Sequence, residues 1–276
     1  VDGIALTSGK KYQNGGLVRP DGNDGALVVW SNASTGSIGI TAQHVRLDGS
    51  QAWDVDGSEF FFGIDGDASK FQALTWGDND ALIFWQDNRW AGTGSVAMAQ
   101  VMDQNASIQF AMDGVAVSGN EQQLNPIIAP DNEGGAYVAY SNISTGTEIL
   151  FAQHVGDDLV PTWPSDGLQV NPNAILGQFN PKMVTSADGY LYYFWTEDIF
   201  FVGLRLFAQK YDITGAAQWA DGGLEIGPPD ISGDTYVTSA SAMADSTVIY
   251  VWESETVSGT KTYISKLMQD GSTLWT

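Results

Sequence analysis

Residues able to do chemistry are few in this chain. Its 276 residues include 33 Asp and Glu, 11 Lys and Arg, two His and no Cys. Without cysteine there are no disulfides, thiolate metal sites or thiol nucleophiles. His44 and His154 both stand in an AQHV stretch, which reads as a recurring framework position, and no Ser-His-Asp arrangement follows from them. Carboxylates gather in DGNDG (21–25) and GDND (77–80). Asp21, Asp24, Asp78 and Asp80 are the candidate metal ligands, because Ca2+ takes paired carboxylates and turn carbonyls. Neither stretch completes an EF-hand-type loop, and Asp-Gly and Asn-Gly are ordinary turn formers. Glycosidase chemistry needs two carboxylates flanking one bond. Here Asp67, Glu121 and Asp234 lie only in loops approaching GGLVRP, FQALTWG, LNPIIAP, FNPKMVTS and TYVTSASAM, which themselves carry no Asp or Glu. No catalytic residue is assigned, and an enzyme is disfavoured. The remaining candidates are large side chains in loops: Arg89 and Trp90 in QDNRWAGTG, and Phe200 and Phe201 in TEDIFFVG. Large apolar loop residues mark contact surfaces, so these four are the expected ligand-binding residues.

The elements that position them repeat. ALVVWSN, ALIFWQDN, AYVAYSN, LYYFWTED and VIYVWES each end an apolar strand in an aromatic and a polar residue. Their aromatics, Trp30, Trp85, Tyr140, Trp195 and Trp252, are spaced by 55, 55, 55 and 57 residues. A second column (TAQHV, MAQVM, FAQHV, FAQKY, ISKLM) aligns Gln43, Gln100, Gln153, Gln209 and Ser265, and places Val101, Lys210 and Leu267 beside the histidines. A third is aromatic-x-x-Asp-Gly, from Trp53, Phe110 and Trp163, with WADGG at Trp219 as its variant. Four short strands per unit, repeated in tandem without helical periodicity, are the signature of propeller blades. The spacing predicts an all-β fold: a five-bladed β-propeller with four antiparallel strands per blade. Residues 1–276 read as a single propeller domain, with blades at about 15–70, 71–123, 124–178, 179–234 and 235–276 plus 1–8. The last unit stops at Trp275-Thr276, and reading on into VDGIAL matches WPSDGLQV in register. The N-terminal strand is thus expected to complete the last blade; exchange of that strand between molecules is the alternative. The aromatic columns are expected to fill space between sheets, and the Gln column to bond backbone between blades.

A formal charge of −22 disfavours nucleic acid and anionic membrane surfaces. It suits a solvated surface, cation binding or a basic partner. No run of 18 apolar residues offers a membrane span. The N-terminus lacks a signal-peptide layout, which implies a leader already removed or a start at a domain edge. DNEGGAYVAYSN, LFAQHV and WPSDGLQV together resemble the repeats of secreted bacterial propellers of Bacteroidota-type organisms. That resemblance covers the chain through framework positions and implies fold and secretion. Tachylectin-type lectins are similar only by fold, with shorter repeats. The expectation is a non-enzymatic, secreted or cell-surface module that binds a glycan or a protein partner through one face. The alternatives are a structural subunit of a surface assembly and a glycan-active hydrolase or lyase.

Overall fold

The computed structural model describes residues 3–9, 12–34, 37–61, 68–77, 80–89, 94–119, 122–227 and 233–275. Among them there is no helix, and nineteen strands form five antiparallel sheets. The sheets are β1 to β4 (Tyr12–Pro20, Ala26–Ser34, Ser37–Val45, Ser58–Phe61) and β5 to β8 (Ala68–Trp76, Asp80–Asp87, Val96–Met102, Val115–Ala116). They continue with β9 to β12 (Gln123–Pro130, Ala136–Asn142, Ile149–Val155, Leu168–Gln169) and β13 to β16 (Gln178–Thr185, Leu191–Ile199, Gly203–Tyr211, Leu224–Glu225). The last is β17 to β19 (Asp234–Ala242, Val248–Thr256, Gly259–Leu267). Consecutive strands are neighbours in every sheet, and the fold is a five-bladed β-propeller. The chain divides into two compact units, residues 1–126 and 127–276, with the boundary inside β9.

Second strands read as continuous apolar runs because both of their faces are covered; every residue of β10 is buried. Opposite the key aromatic stands a residue of the third strand: Tyr140 faces Phe151, Trp195 faces Phe207 and Trp252 faces Tyr263. The rings stack within 17° of parallel, at centroid distances of 5.9, 5.8 and 4.2 Å. Such cross-strand pairs hold register. Four of the five first strands are bent by a left-handed residue on the same 55-residue period: Gly15, Lys70, Asn125 and Asn180. The ladders of β1, β5 and β13 slip at that place, as β-bulges require.

Two expected columns change meaning. The glutamines bond backbone inside their own blade, not between blades. Gln153 Nε2 donates to the Pro164 carbonyl, and its Oε1 accepts from the amides of His154 and Trp163. Gln43, Gln100 and Gln209 make the same three bonds. Each therefore latches the third strand to the turn before the fourth. The link to the following blade is the indole: Trp53, Trp163 and Trp219 donate Nε1–H to the carbonyls of Gln104, Ile213 and Gln269. The second change is register. Lys266, not Leu267, occupies the histidine position, since Ile249 faces Lys266 as Leu27 faces His44. ISKLM lacks the glutamine that would have fixed its alignment.

The N-terminal segment packs on the first sheet. The fifth sheet has three strands among the described residues, and residues 3–9 carry no strand assignment; Val1 and Asp2 lie outside those residues. Instead the Ala5 carbonyl accepts from Gln51 Nε2, Ser8 donates to Asp56, and Ile4 Cδ1 lies where a Cβ on Gly49 would fall. Leu168 meets Gly215 and Leu224 meets Gly271 in the same way. Ile4 thus occupies, against the first sheet, the place that a preceding fourth strand takes elsewhere.

Candidate functional site

The β14–β15 hairpin is built to present two phenylalanines. Its ladder runs unbroken from Leu191 opposite Tyr211 to Ile199 opposite Gly203. It closes where the Val202 amide donates to the Ile199 carbonyl at 2.9 Å. Phe201 takes a left-handed φ of 65°, a conformation costly for a bulky side chain. It is 96% exposed, and Phe200 64%. Their ring centroids lie 4.1 Å apart at 59°. The residues beneath are fixed by a buried carboxylate. Glu197, 4% exposed, accepts from Asn171 Nδ2 at 2.9 Å, Trp195 Nε1 at 3.0 Å and Gln178 Nε2 at 3.3 Å. Arg205 reinforces the other strand by donating to the Gly233 carbonyl at 2.8 Å. An apolar aromatic pair on a rigid hairpin can stack against flat apolar surface and do no acid–base work.

Arg89 has a framework role in the first unit. Its guanidinium meets Asp87 at 2.7 Å and Asp113 at 3.0 Å and lies 4.8 Å over the Phe61 ring. Burial alone would lower its pKa, but Asp87 and Asp113 outweigh this and raise it. Asp87 is fully buried, and without Arg89 it would be an uncompensated charge. These bonds occupy the donors expected to serve a ligand. Trp90 lies outside the described residues. Arg89 belongs to the first unit, and Phe200 and Phe201 to the second.

Of the residues expected as calcium ligands, Asp21 is internally bonded. Asp21 Oδ1 accepts from the amides of Asn23 and Gly25 at 2.7 and 2.8 Å, and Oδ2 meets His44 Nε2 at 2.6 Å. Burial raises the Asp21 pKa, while His44 and the two amides lower it further, for a net depression. Asp24 is exposed at φ 62°, Asp80 begins β6, and Asp78 lies outside the described residues. Among the described residues no three His, Asp or Glu side chains gather as a metal ion needs. The arrangement recurs: Asp131 meets His154 at 2.8 Å, and Asp245 meets Lys266 at 3.1 Å. In these three sheets the side chain at the histidine position thus ties the third strand to the first turn of its own sheet.

Asp234 lies on a first strand rather than in an approach loop, correcting the expected placement. Its Oδ1 accepts from the Leu204 amide at 2.9 Å, as the Gln178 Oε1 accepts from Leu150. Asp67 and Glu121 lie outside the described residues.

Sequence reasoning missed a cavity of about 530 Å3 in the first unit. Its polar wall carries Asn32, Ser58, Asp54, Asp56 and Glu59, and its apolar wall Trp30, Met102 and Ile108. The cause is one residue. Where Ser58 faces Ala42, Val115 faces Ala99, Leu168 faces Ala152 and Leu224 faces Ala208. The serine is too short to fill the space those apolar side chains fill. Aligning fourth strands rather than aromatics would have exposed it.

No family model matches the chain, and no curated protein matches it by sequence. Among solved structures it is similar to a polysaccharide lyase, with 11% identity and a TM-score of 0.59 over 99% of this chain and 73% of that one. An endo-1,4-β-xylanase of Bacteroides thetaiotaomicron aligns over 95% of this chain and 93% of its own, with 11% identity and a TM-score of 0.44. An endo-arabinase of the same organism aligns over 98% and 100%, with 13% identity and a TM-score of 0.43. At such identity the likeness to the lyase concerns the fold.

Proposed function

We propose that this chain is a non-enzymatic extracellular binding module that recognises a glycan through the aromatic tip at Phe200 and Phe201. The observation that carries the reading is Phe201, held 96% exposed in a left-handed conformation at the end of a fully paired hairpin. A globular chain gains nothing in stability from such a residue, whereas the apolar face of a pyranose ring gains a stacking partner. Carboxylate usage supports the non-enzymatic part. The buried acids Asp87 and Glu197 are fully engaged, and Asp234 is bound to a backbone amide.

A glycan array probed with wild type, Phe200→Ala and Phe201→Ala, with and without chelator, tests this. Wild type should bind a polysaccharide, and each variant should lose about tenfold or more, equivalent to one stacked ring. Unchanged binding by both variants removes the tip as the site. Binding to a protein partner alone, lost in the same variants, replaces the glycan by a protein.

A second reading is a glycan-active hydrolase or lyase, favoured by the polysaccharide lyase of similar fold. Asp67 and Glu121 would be its candidate acids. Polysaccharide turnover by purified protein, abolished by Asp67→Asn or Glu121→Gln, would establish it and displace the first reading.

A further inference from the structure

We infer that Lys210 is a covalent site, independent of the aromatic tip, whose amine condenses with a small uncharged aldehyde to give an imine. Its column explains why. His44 reaches Asp21 at 2.6 Å, His154 reaches Asp131 at 2.8 Å and Lys266 reaches Asp245 at 3.1 Å. Asp21, Asp131 and Ser186 head the same turn, each amide donating to the carbonyl four residues on. Ser186 thus stands in the fourth sheet where a carboxylate stands in the first and third, and its hydroxyl donates instead to Asp188 at 2.5 Å. Among the described residues Lys210 Nζ has neither a salt bridge nor a hydrogen-bond acceptor, and Asp188 acts on it only through its charge.

The surroundings of the amine set its chemistry. Lys210 is 6% exposed and pairs with Tyr192 across the β14–β15 ladder. Its Nζ lies 3.9 Å from the centroid of the Tyr190 ring and 5.4 Å from that of Tyr192. Ring faces attract the positive charge, but they leave the donors of an ammonium without an oxygen acceptor, and burying such donors is costly. Loss of a proton relieves that cost: burial lowers the Lys210 pKa, and the charge of Asp188 opposes this only in part. A desolvated neutral amine is a nucleophile. A cavity of about 170 Å3 lies against the same Tyr190 ring, bordered also by Glu133, Asp188, Asp212 and Ile213. It gives a small molecule a way to the ring over which the amine sits. In the reaction the nitrogen lone pair attacks the carbonyl carbon and forms the C–N bond. The carbonyl oxygen leaves as water, taking one hydrogen from the nitrogen and one proton from solvent, and no oxidant or reductant is consumed. The resulting iminium keeps one positive charge near Asp188 and Tyr190, which an acyl or carbamate product would not. The same Asp188 charge disfavours an anionic aldehyde.

Incubation of the intact chain with propanal and sodium cyanoborohydride, which reduces the iminium to a stable secondary amine, tests the site when followed by peptide mapping. At about pH 7 Lys210 should be propylated at least about tenfold faster than the exposed Lys261, because each unit of pKa depression raises the neutral-amine fraction about tenfold. The Lys210 rate should also level off at a lower pH than that of Lys261. Ser186→Asp, which supplies the carboxylate used in the first and third sheets, should cut Lys210 labelling about fivefold or more by holding the amine protonated, and leave Lys261 unchanged. Relative to Lys261, the anionic aldehyde glyoxylate should label Lys210 less than propanal does. Phe201→Ala should leave labelling unchanged, which separates this site from the aromatic tip. Lys210 labelled no faster than Lys261, parallel pH profiles for the two lysines, a preference of Lys210 for glyoxylate, or full labelling in a folded Ser186→Asp variant would each overturn the inference. Should Ser186→Asp not fold, the two wild-type pH profiles decide alone.

Discussion

At the residue scale, Phe201 pays conformational energy for its exposure. A left-handed non-glycine residue costs on the order of 1–3 kcal/mol, partly offset in a glycine variant by greater chain entropy in the unfolded state. Phe201→Gly should therefore leave the melting temperature unchanged or raise it while removing ligand contact; a fall of several degrees would show instead that the ring packs on the protein. The acidic turns predict a pH dependence. Asp21, Asp188 and Asp212 are each raised by burial, but more strongly lowered by hydrogen bonds from His44, Ser186 and Thr214 among others. Asp245, bonded by Thr247 and Lys266, is lowered to about 2. A carboxylate depressed in the folded state stabilises fully above its unfolded pKa, near 4, and that contribution is lost as pH falls toward the folded value. Thermal scans should show a flat plateau above about pH 5 and a steep decline between about pH 4 and 2. Buried Tyr193 is raised well above its ordinary value, mainly by desolvation, so a second loss of stability is expected on raising pH above about 10.

The element scale is where the sequence was most informative. The 55-residue spacing of Trp30, Trp85 and Tyr140 marks the second strands directly, because an aromatic at a fixed strand position repeats whenever the sheet does. Contacts within the blade were harder to read. A buried glutamine looks the same in sequence whether it bonds its own turn or the next sheet, and only geometry separates the two. Gln153→Leu should cost about 3 kcal/mol, since it strands two amides and a carbonyl that Gln153 now satisfies. Gly114→Ala provides a second check: at φ 77° its Cβ would lie 2.6 Å from Trp85 Cη2 and 2.7 Å from the Ala99 carbonyl, for a loss of about 2–4 kcal/mol measured by denaturant melts. The cavity was illegible for a different reason. It arises from a small polar residue, Ser58, at the start of its strand, and an absence of bulk leaves no motif. Arg89 misled in the opposite sense, because a charged loop residue looks available until its buried partner Asp87 is seen.

On the scale of the whole molecule, charge dominates. With a net charge of −22, self-repulsion opposes the folded state and is screened by salt. Melting temperature should rise by several degrees between about 10 and 200 mM sodium chloride. Calcium at matched ionic strength should add nothing if the acidic turns only cap backbone; a further rise would return them to the list of ligands. The fold carries its own reporters. Trp53, Trp163 and Trp219 each place the indole N–H on a carbonyl of the succeeding sheet. Parting of those sheets would replace a protein acceptor by water, so intrinsic fluorescence should redden whenever a seam opens, even while every individual sheet keeps its ladder. Replacing these three indoles singly by phenylalanine would then give an optical map of where the propeller first comes undone.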